Sequence, residues 1–85
     1  MTFDQSLGGA IGFVRRGRGM DQRSMAMYLC MSAPSLSRVE SGKRPLTVRE
    51  LYCCAAHLEI SPESLLEMAE KLRSQVFSID ESKAT

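Results

Sequence analysis

The residues with chemistry to offer crowd into one stretch, Gln22 to Pro45, which reads QRSMAMYLCMSAPSLSRVESGKRP. Within it Ala33, Pro34, Ser35, Ser37 and Arg38 fall on the outward side of a short segment whose inward positions are Leu36 and Val39. These outward side chains are small or cationic. Small residues permit close approach to a partner, and a guanidinium carries a planar fork of donors that matches paired acceptors such as O6 and N7 of guanine. Ala33 and Pro34 can make only apolar contact, most naturally with a thymine methyl. Lys43 and Arg44 follow just beyond the segment, and Gln22, Arg23 and Ser32 stand near helix starts. All five positions suit contacts with phosphate oxygens. This is the chemistry of docking on a polyanion.

Bond-breaking chemistry finds little support. There is one histidine, His57, and no Ser-His-Asp set or pair of buried carboxylates on one helix face, so no catalytic residue and no enzyme is expected. Cys30, Cys53 and Cys54 form no CxxC pair, and His57 has no partner at ligand spacing. No metal site and no cofactor is therefore expected. Three cysteines read as buried thiols. The alternative is a redox-active Cys30, where oxidation would disturb the docking segment.

Two short helices joined by a tight turn must position these groups. Asp21 can cap the first, whose inward face is Met25, Ala26 and Leu29. Ser32 can cap the second, with Pro34 in its first turn, where a missing N–H costs nothing. Gly42 suits a left-handed residue past its end, and Pro45 prevents continuation. Helices this short bury little alone. Their common use is to cross steeply, with the second held outward to enter a DNA major groove.

The stretch resembles the helix-turn-helix of the phage repressor and Cro family, also called XRE-like. The resemblance rests on Gln22 opening the first helix, Ala26 where the helices touch, Leu36 and Val39 in the second, and then Glu40 and Gly42. It extends over roughly Leu7 to Leu66. One residue departs from the pattern: Cys30 stands in the turn where the family usually has glycine, because the backbone there tends towards positive φ. Some strain or an altered turn is expected. The resemblance implies an all-α, compact five-helix bundle that binds double-stranded DNA in a sequence-specific way. It also implies a homodimer on a palindromic operator. It favours a bridge from Arg15 to Glu40 over a DNA contact by Arg15. In this family the positions of Ala33 and Pro34 often carry polar readers, so base reading is expected to be thinner at that end.

The rest of the chain fits one domain of 85 residues, with 44% hydrophobic and 25% charged residues. Such a chain buries only about 60–65% of its unfolded surface. Residues 1–60 carry eight Lys or Arg against five Asp or Glu, a net of +3, and residues 61–85 carry three against five, a net of −2. The basic charge thus sits with the helix-turn-helix. No apolar run approaches the ~18 residues of a membrane span and no signal peptide is evident, so a cytoplasmic chain without a membrane partner is expected.

The periodicities predict helices near 4–18, 21–29, 32–41, 47–58 and 62–76, with Asp4 capping the first. Gly8, Gly9, Gly12 and Gly17 weaken that first helix by up to ~1 kcal/mol each, which suggests close helix–helix approach instead. Thr47 and Glu50 form a capping box, and Ser61-Pro62-Glu63 opens the last helix. Leu65 and Ala69 are assigned to the core. Leu66, Met68, Leu72 and Val76 are assigned to a partner chain, against the alternative of one continuous core. The domain is placed at 1–77, with a C-terminal dimerisation helix, and 78–85 as a disordered tail. Two functions remain: a transcriptional regulator, most simply a repressor, or an antitoxin-like or anti-repressor module whose partner is a protein, a toxin or a regulator.

Overall fold

Each helix is opened by a side-chain cap, and these caps divide the chain into five elements in a computed structural model that describes residues 1–84, with side chains described through Gln75. They are α1 (Phe3–Gly17), α2 (Gln22–Tyr28), α3 (Ala33–Glu40), α4 (Val48–Leu58) and α5 (Pro62–Ala84). There is no strand among the described residues. Asp21 Oδ1 accepts from the Ser24 amide at 2.7 Å, Ser32 Oγ from Ser35 at 3.2 Å and Ser61 Oγ from Ser64 at 3.1 Å. Thr47 and Glu50 form the expected capping box. The first helix departs from expectation. Thr2, not Asp4, is its N-cap, in a second capping box with Gln5. Asp4 lies within the first turn, where its charge still faces the positive end of the helix dipole. α5 continues to Ala84, past the expected end near 76. The side chains of Val76 and of the expected tail over 78–85 lie outside the described residues, as does residue 85 altogether.

One core joins all five helices. Leu7 and Ile11 of α1 meet Met25, Ala26 and Leu29 of α2, Leu36 and Val39 of α3, Cys54, Ala55 and Leu58 of α4, and Leu65 and Ala69 of α5. α1 runs through the middle and touches α3, α4 and α5. Its approach to α3 is close enough that a Cβ on Gly8 would strike the backbone carbonyls of Val39 and Glu40. Gly9 and Gly17 face open space, so close approach explains Gly8 but not those two. Gly42 takes φ +80° just past α3, and a Cβ there would also run into Gln5. Cys30 takes φ +57°, the left-handed geometry that the turn asks of glycine, at a strain of about 1–3 kcal/mol. The thiols do not share one environment. Cys54 is buried, and burial pushes its pKa up to about 12, whereas Cys53 is half-buried and Cys30 is exposed. The expectation of three buried thiols is thus corrected, because the left-handed turn holds Cys30 at the surface.

The link from α3 to α4 is clamped by Arg44. Its guanidinium donates to both carboxylate oxygens of Glu50, Nη1 to Oε1 at 3.0 Å and Nη2 to Oε2 at 2.9 Å. Glu50 Oε1 also accepts from the Thr47 amide at 3.0 Å. One carboxylate therefore closes the capping box of α4 and holds the preceding loop. Arg44 is the main reason that the Glu50 carboxyl sits at about 2 rather than the ordinary 4.5.

Two measurements check this packing. In urea unfolding, Gly8→Ala should destabilise the protein by about 1–3 kcal/mol through overpacking, whereas Gly9→Ala should stabilise it by up to about 1 kcal/mol. Equal effects would contradict the backbone contact at Gly8. For Glu50, a depressed folded pKa means that its contribution is complete above pH 4.5 and is lost as pH falls towards about 2. The thermal midpoints of the unmodified protein and Glu50→Gln should therefore differ at neutral pH and converge across that window.

Candidate nucleic-acid interface

The outer face of α3 is built from its cap outward. Ser32 fixes the start by accepting from the Ser35 amide, and its hydroxyl donates to Ser35 Oγ at 3.0 Å. Leu36 and Val39 anchor the inner side in the core. Pro34, Ser37 and Arg38 are left exposed, with Ala33 and Ser35 half-buried at the margin. The Arg38 carbonyl accepts from the amides of Lys43 at 2.8 Å and Arg44 at 3.3 Å, which closes the helix and turns the chain away. The Arg38 side chain takes part in neither ion pair found among the described residues. Its fork is free on an exposed surface.

The base of α3 is fixed by a buried polar knot. Arg15 Nε donates to Glu40 Oε2 at 2.7 Å, Arg15 Nη2 to Glu40 Oε1 at 3.1 Å, and Arg15 Nη1 to the Met20 carbonyl at 2.8 Å. Gln22 Nε2 donates to the same Glu40 Oε1 at 2.9 Å. The Arg15–Glu40 bridge suggested by the resemblance is present. Gln22 was expected at a phosphate. Its side-chain amide instead finds a partner inside the protein, tying the first residue of α2 to the last of α3. No periodic signal pointed to this bond, because it depends on how two helices cross.

The expected backbone-contacting residues divide into two groups. Arg23, Ser32 and Lys43 are exposed, and neither Arg23 nor Lys43 enters an ion pair among the described residues. Gln22 and Arg44 are half-buried and occupied by Glu40 and Glu50. Asp21, beside Gln22, has its carboxyl lowered chiefly by the Ser24 amide, so the cap is charged at neutral pH. Of the residues assigned to a partner chain, Leu66 is half-buried and leans on the core. Met68 and Leu72 line a shallow groove of about 170 Å³ together with Ala10, Gln75 and the 65% exposed Phe13. The sequence reading did not single out Phe13. Among the described residues no group of three or more His, Cys, Asp or Glu side chains could hold a metal ion. No helix there is long and apolar enough to cross a membrane.

A family model described as helix-turn-helix matches residues 13–65, which contain all of α2, α3 and α4. No curated protein matches the chain at a significant level. Solved structures do. The clp gene regulator ClgR from Corynebacterium glutamicum aligns with a TM-score of 0.88 at 22% identity, covering 99% of this chain and 90% of that one. The restriction-modification controller protein C.AhdI from Aeromonas hydrophila gives 0.68 at 23%, covering 72% and 92%. A mutant of the restriction-modification controller protein C.Esp1396I gives 0.72 at 27%, covering 84% and 95%. With the motif, the clamped crossing of α2 and α3 and the free outer face of α3 all in place, this chain belongs to the XRE-type helix-turn-helix family of DNA-binding regulators.

Proposed function

We propose that this protein is a cytoplasmic repressor that binds a palindromic operator as a homodimer. The observation that carries this reading is the outer face of α3, where Arg38 ends in a free guanidinium among side chains too small to block a groove. Arg38 reads guanine, Ala33 and Pro34 favour a neighbouring thymine methyl, and Ser35 and Ser37 bond base edges or phosphate. Arg23, Ser32 and Lys43 contact the backbone on either side. Gln22 and Arg44 add their polar ends at the margin of their internal bonds. Residues 1–77 form the binding and dimerising unit, and 78–85 a tail outside it. The structural relatives include gene regulators and restriction-modification controllers, which supports a regulatory role.

One α3 spans too few base pairs for useful specificity. A twofold dimer would set two copies about 34 Å apart, in successive major grooves. The groove edged by Phe13, Met68 and Leu72 supports a seam along α5, to which Leu66 and Val76 are also assigned. A second reading is an antitoxin-like or anti-repressor module that takes a protein partner. It is favoured by Val48 and Tyr52, two large apolar side chains left in solvent on α4.

Three measurements separate these readings. Arg38→Ala should cost about 1–3 kcal/mol on the preferred operator and relax one base position, as titrations against every single-base variant would reveal. An equal loss on all variants would reduce Arg38 to a phosphate contact. Lys43→Ala should weaken binding to every sequence and flatten the slope of log affinity against log salt by about one unit. Leu72→Glu should leave a folded monomer in analytical ultracentrifugation where the unmodified protein sediments as a dimer. A monomer at high concentration for both would discard the α5 seam.

A further inference from the structure

Between the α2–α3 turn and the first turns of α4 lies an open cavity of about 620 Å³. That is the size of a site for a small organic molecule. Two thiols open on it, from the exposed Cys30 in the turn and the half-buried Cys53 on α4. Tyr28 and Leu29, which lead into Cys30, also line it. The Tyr28 ring is held by a tilted stack on His57, with centroids 4.5 Å apart. Arg49 lines the same cavity and enters neither ion pair among the described residues. Glu50 also lines it, but its carboxylate is occupied by Arg44 and Thr47. The groups left free are therefore two soft nucleophiles, an aromatic face and a guanidinium. The DNA-docking reading uses none of them.

We propose that this cavity captures small planar α,β-unsaturated carbonyl compounds, quinones above all, with the ring between Tyr28 and Cys53 and a covalent bond to Cys30. Thiolates add readily to such carbons, an aromatic wall takes a flat ring, and a nearby guanidinium suits the oxyanion that forms. In the step, Cys30 sulfur bonds to a ring carbon next to a quinone carbonyl carbon. The electron pair of the C=C bond moves through to the far carbonyl oxygen, which faces Arg49. That oxygen takes up the thiol proton, and the hydrogen on the attacked carbon passes to the second oxygen as the ring becomes aromatic. The product is a hydroquinone thioether, and no further oxidant or reductant enters. Cys30, the more exposed thiol, is the attacking group, and Cys53 is part of the wall.

The bond would be felt on the DNA side. Cys30 precedes the α3 cap Ser32 by two residues, and the next amide, Met31, donates to the Ala26 carbonyl at 2.9 Å. An aryl group wedged against Thr47 and Glu50 displaces this turn and with it Ala33 and Pro34. This consequence rests on the proposed DNA reading, whereas the capture chemistry does not.

The test exposes the full chain to methyl-1,4-benzoquinone and follows adducts by intact mass and peptide mapping. One adduct should form, on Cys30, and should persist in Cys53→Ser but vanish in Cys30→Ser. The folded protein should react about tenfold faster than the urea-unfolded chain with the quinone, but not with iodoacetamide, which has no ring to place. Tyr28→Ala and Arg49→Ala, both at exposed positions, should each lose that preference while keeping the helical spectrum. Adduct formation should lower operator affinity about tenfold, and Cys30→Ser should be indifferent to quinone. First modification at Cys53, or a folded rate no greater than the unfolded one, overturns the capture site. An adduct that leaves operator affinity unchanged overturns the coupling to α3. If the unmodified protein binds no DNA while the adduct forms as described, the capture site stands and the repressor reading fails.

Discussion

The buried ion pair between Arg15 and Glu40 is the constraint on which the reading head depends. Both side chains are 9% exposed and the closest contact is 2.7 Å. Breaking such a pair leaves an uncompensated charge in a poorly solvated place, at a cost of about 3–5 kcal/mol. Apolar residues of similar shape often fill such a space as well or better, so bulk stability is a weak account of it. Its geometry is more informative. One guanidinium spans the Met20 carbonyl and Glu40, and Glu40 receives Gln22 from a third direction. The end of α1, the loop after it, the start of α2 and the end of α3 are thereby held to one point. No buried side-chain nitrogen or oxygen among the described residues is left without a partner. The knot is closed, and a satisfied polar network in a small core specifies one arrangement rather than several.

Gly8 makes this arrangement sterically available. α1 and α3 meet there through backbone atoms, which sets how far α3 can sink into the body. Arg44 and Glu50 act at the other end of α3, fixing the loop that leads to α4. The cations thus separate by role. Arg15 and Arg44 are bound to carboxylates and hold the scaffold. Arg23, Arg38 and Lys43 enter no ion pair among the described residues and lie on the surface. A net charge of only +1 conceals this division, because a polyanion responds to local free cations rather than to the sum over the chain.

The turn between α2 and α3 holds one of two non-glycine residues at positive φ among the described residues, the other being Glu59 after α4. A non-glycine residue at φ +57° persists only where its surroundings overdetermine it, and here Leu29 is anchored in the core on one side and Ser32 caps α3 on the other. The same turn walls a cavity against α4. A helix of eight residues held at its start by one cap responds to small displacements of that cap, so the turn and the cavity are mechanically close to the base-reading face.

The sequence by itself determined what depends on neighbours along the chain. Asp21, Ser32, Thr47 and Ser61 cap helices because a side-chain oxygen three residues back meets an unpaired amide. Gly42 and Pro45 end α3 for equally local reasons. The stripes of Leu7 and Ile11, Leu36 and Val39, and Leu65 and Ala69 faced the core as their spacing implied. The first cap was misread because Thr2 and Asp4 are both competent, and only the position of Gln5 closes a box on Thr2. The family resemblance supplied Arg15 and Glu40, since a separation of 25 residues carries no periodic signal. Tertiary structure alone decided the rest. It gave Gln22 to Glu40 and Arg44 to Glu50, distinguished the crowded Gly8 from the open Gly9, and brought Cys30 and Cys53 to one cavity. Arg44 and Glu50 are six residues apart, and their pairing depends on the path of the α3–α4 loop; the others follow from the angle and depth at which helices cross, which many residues set together and no short window of sequence contains.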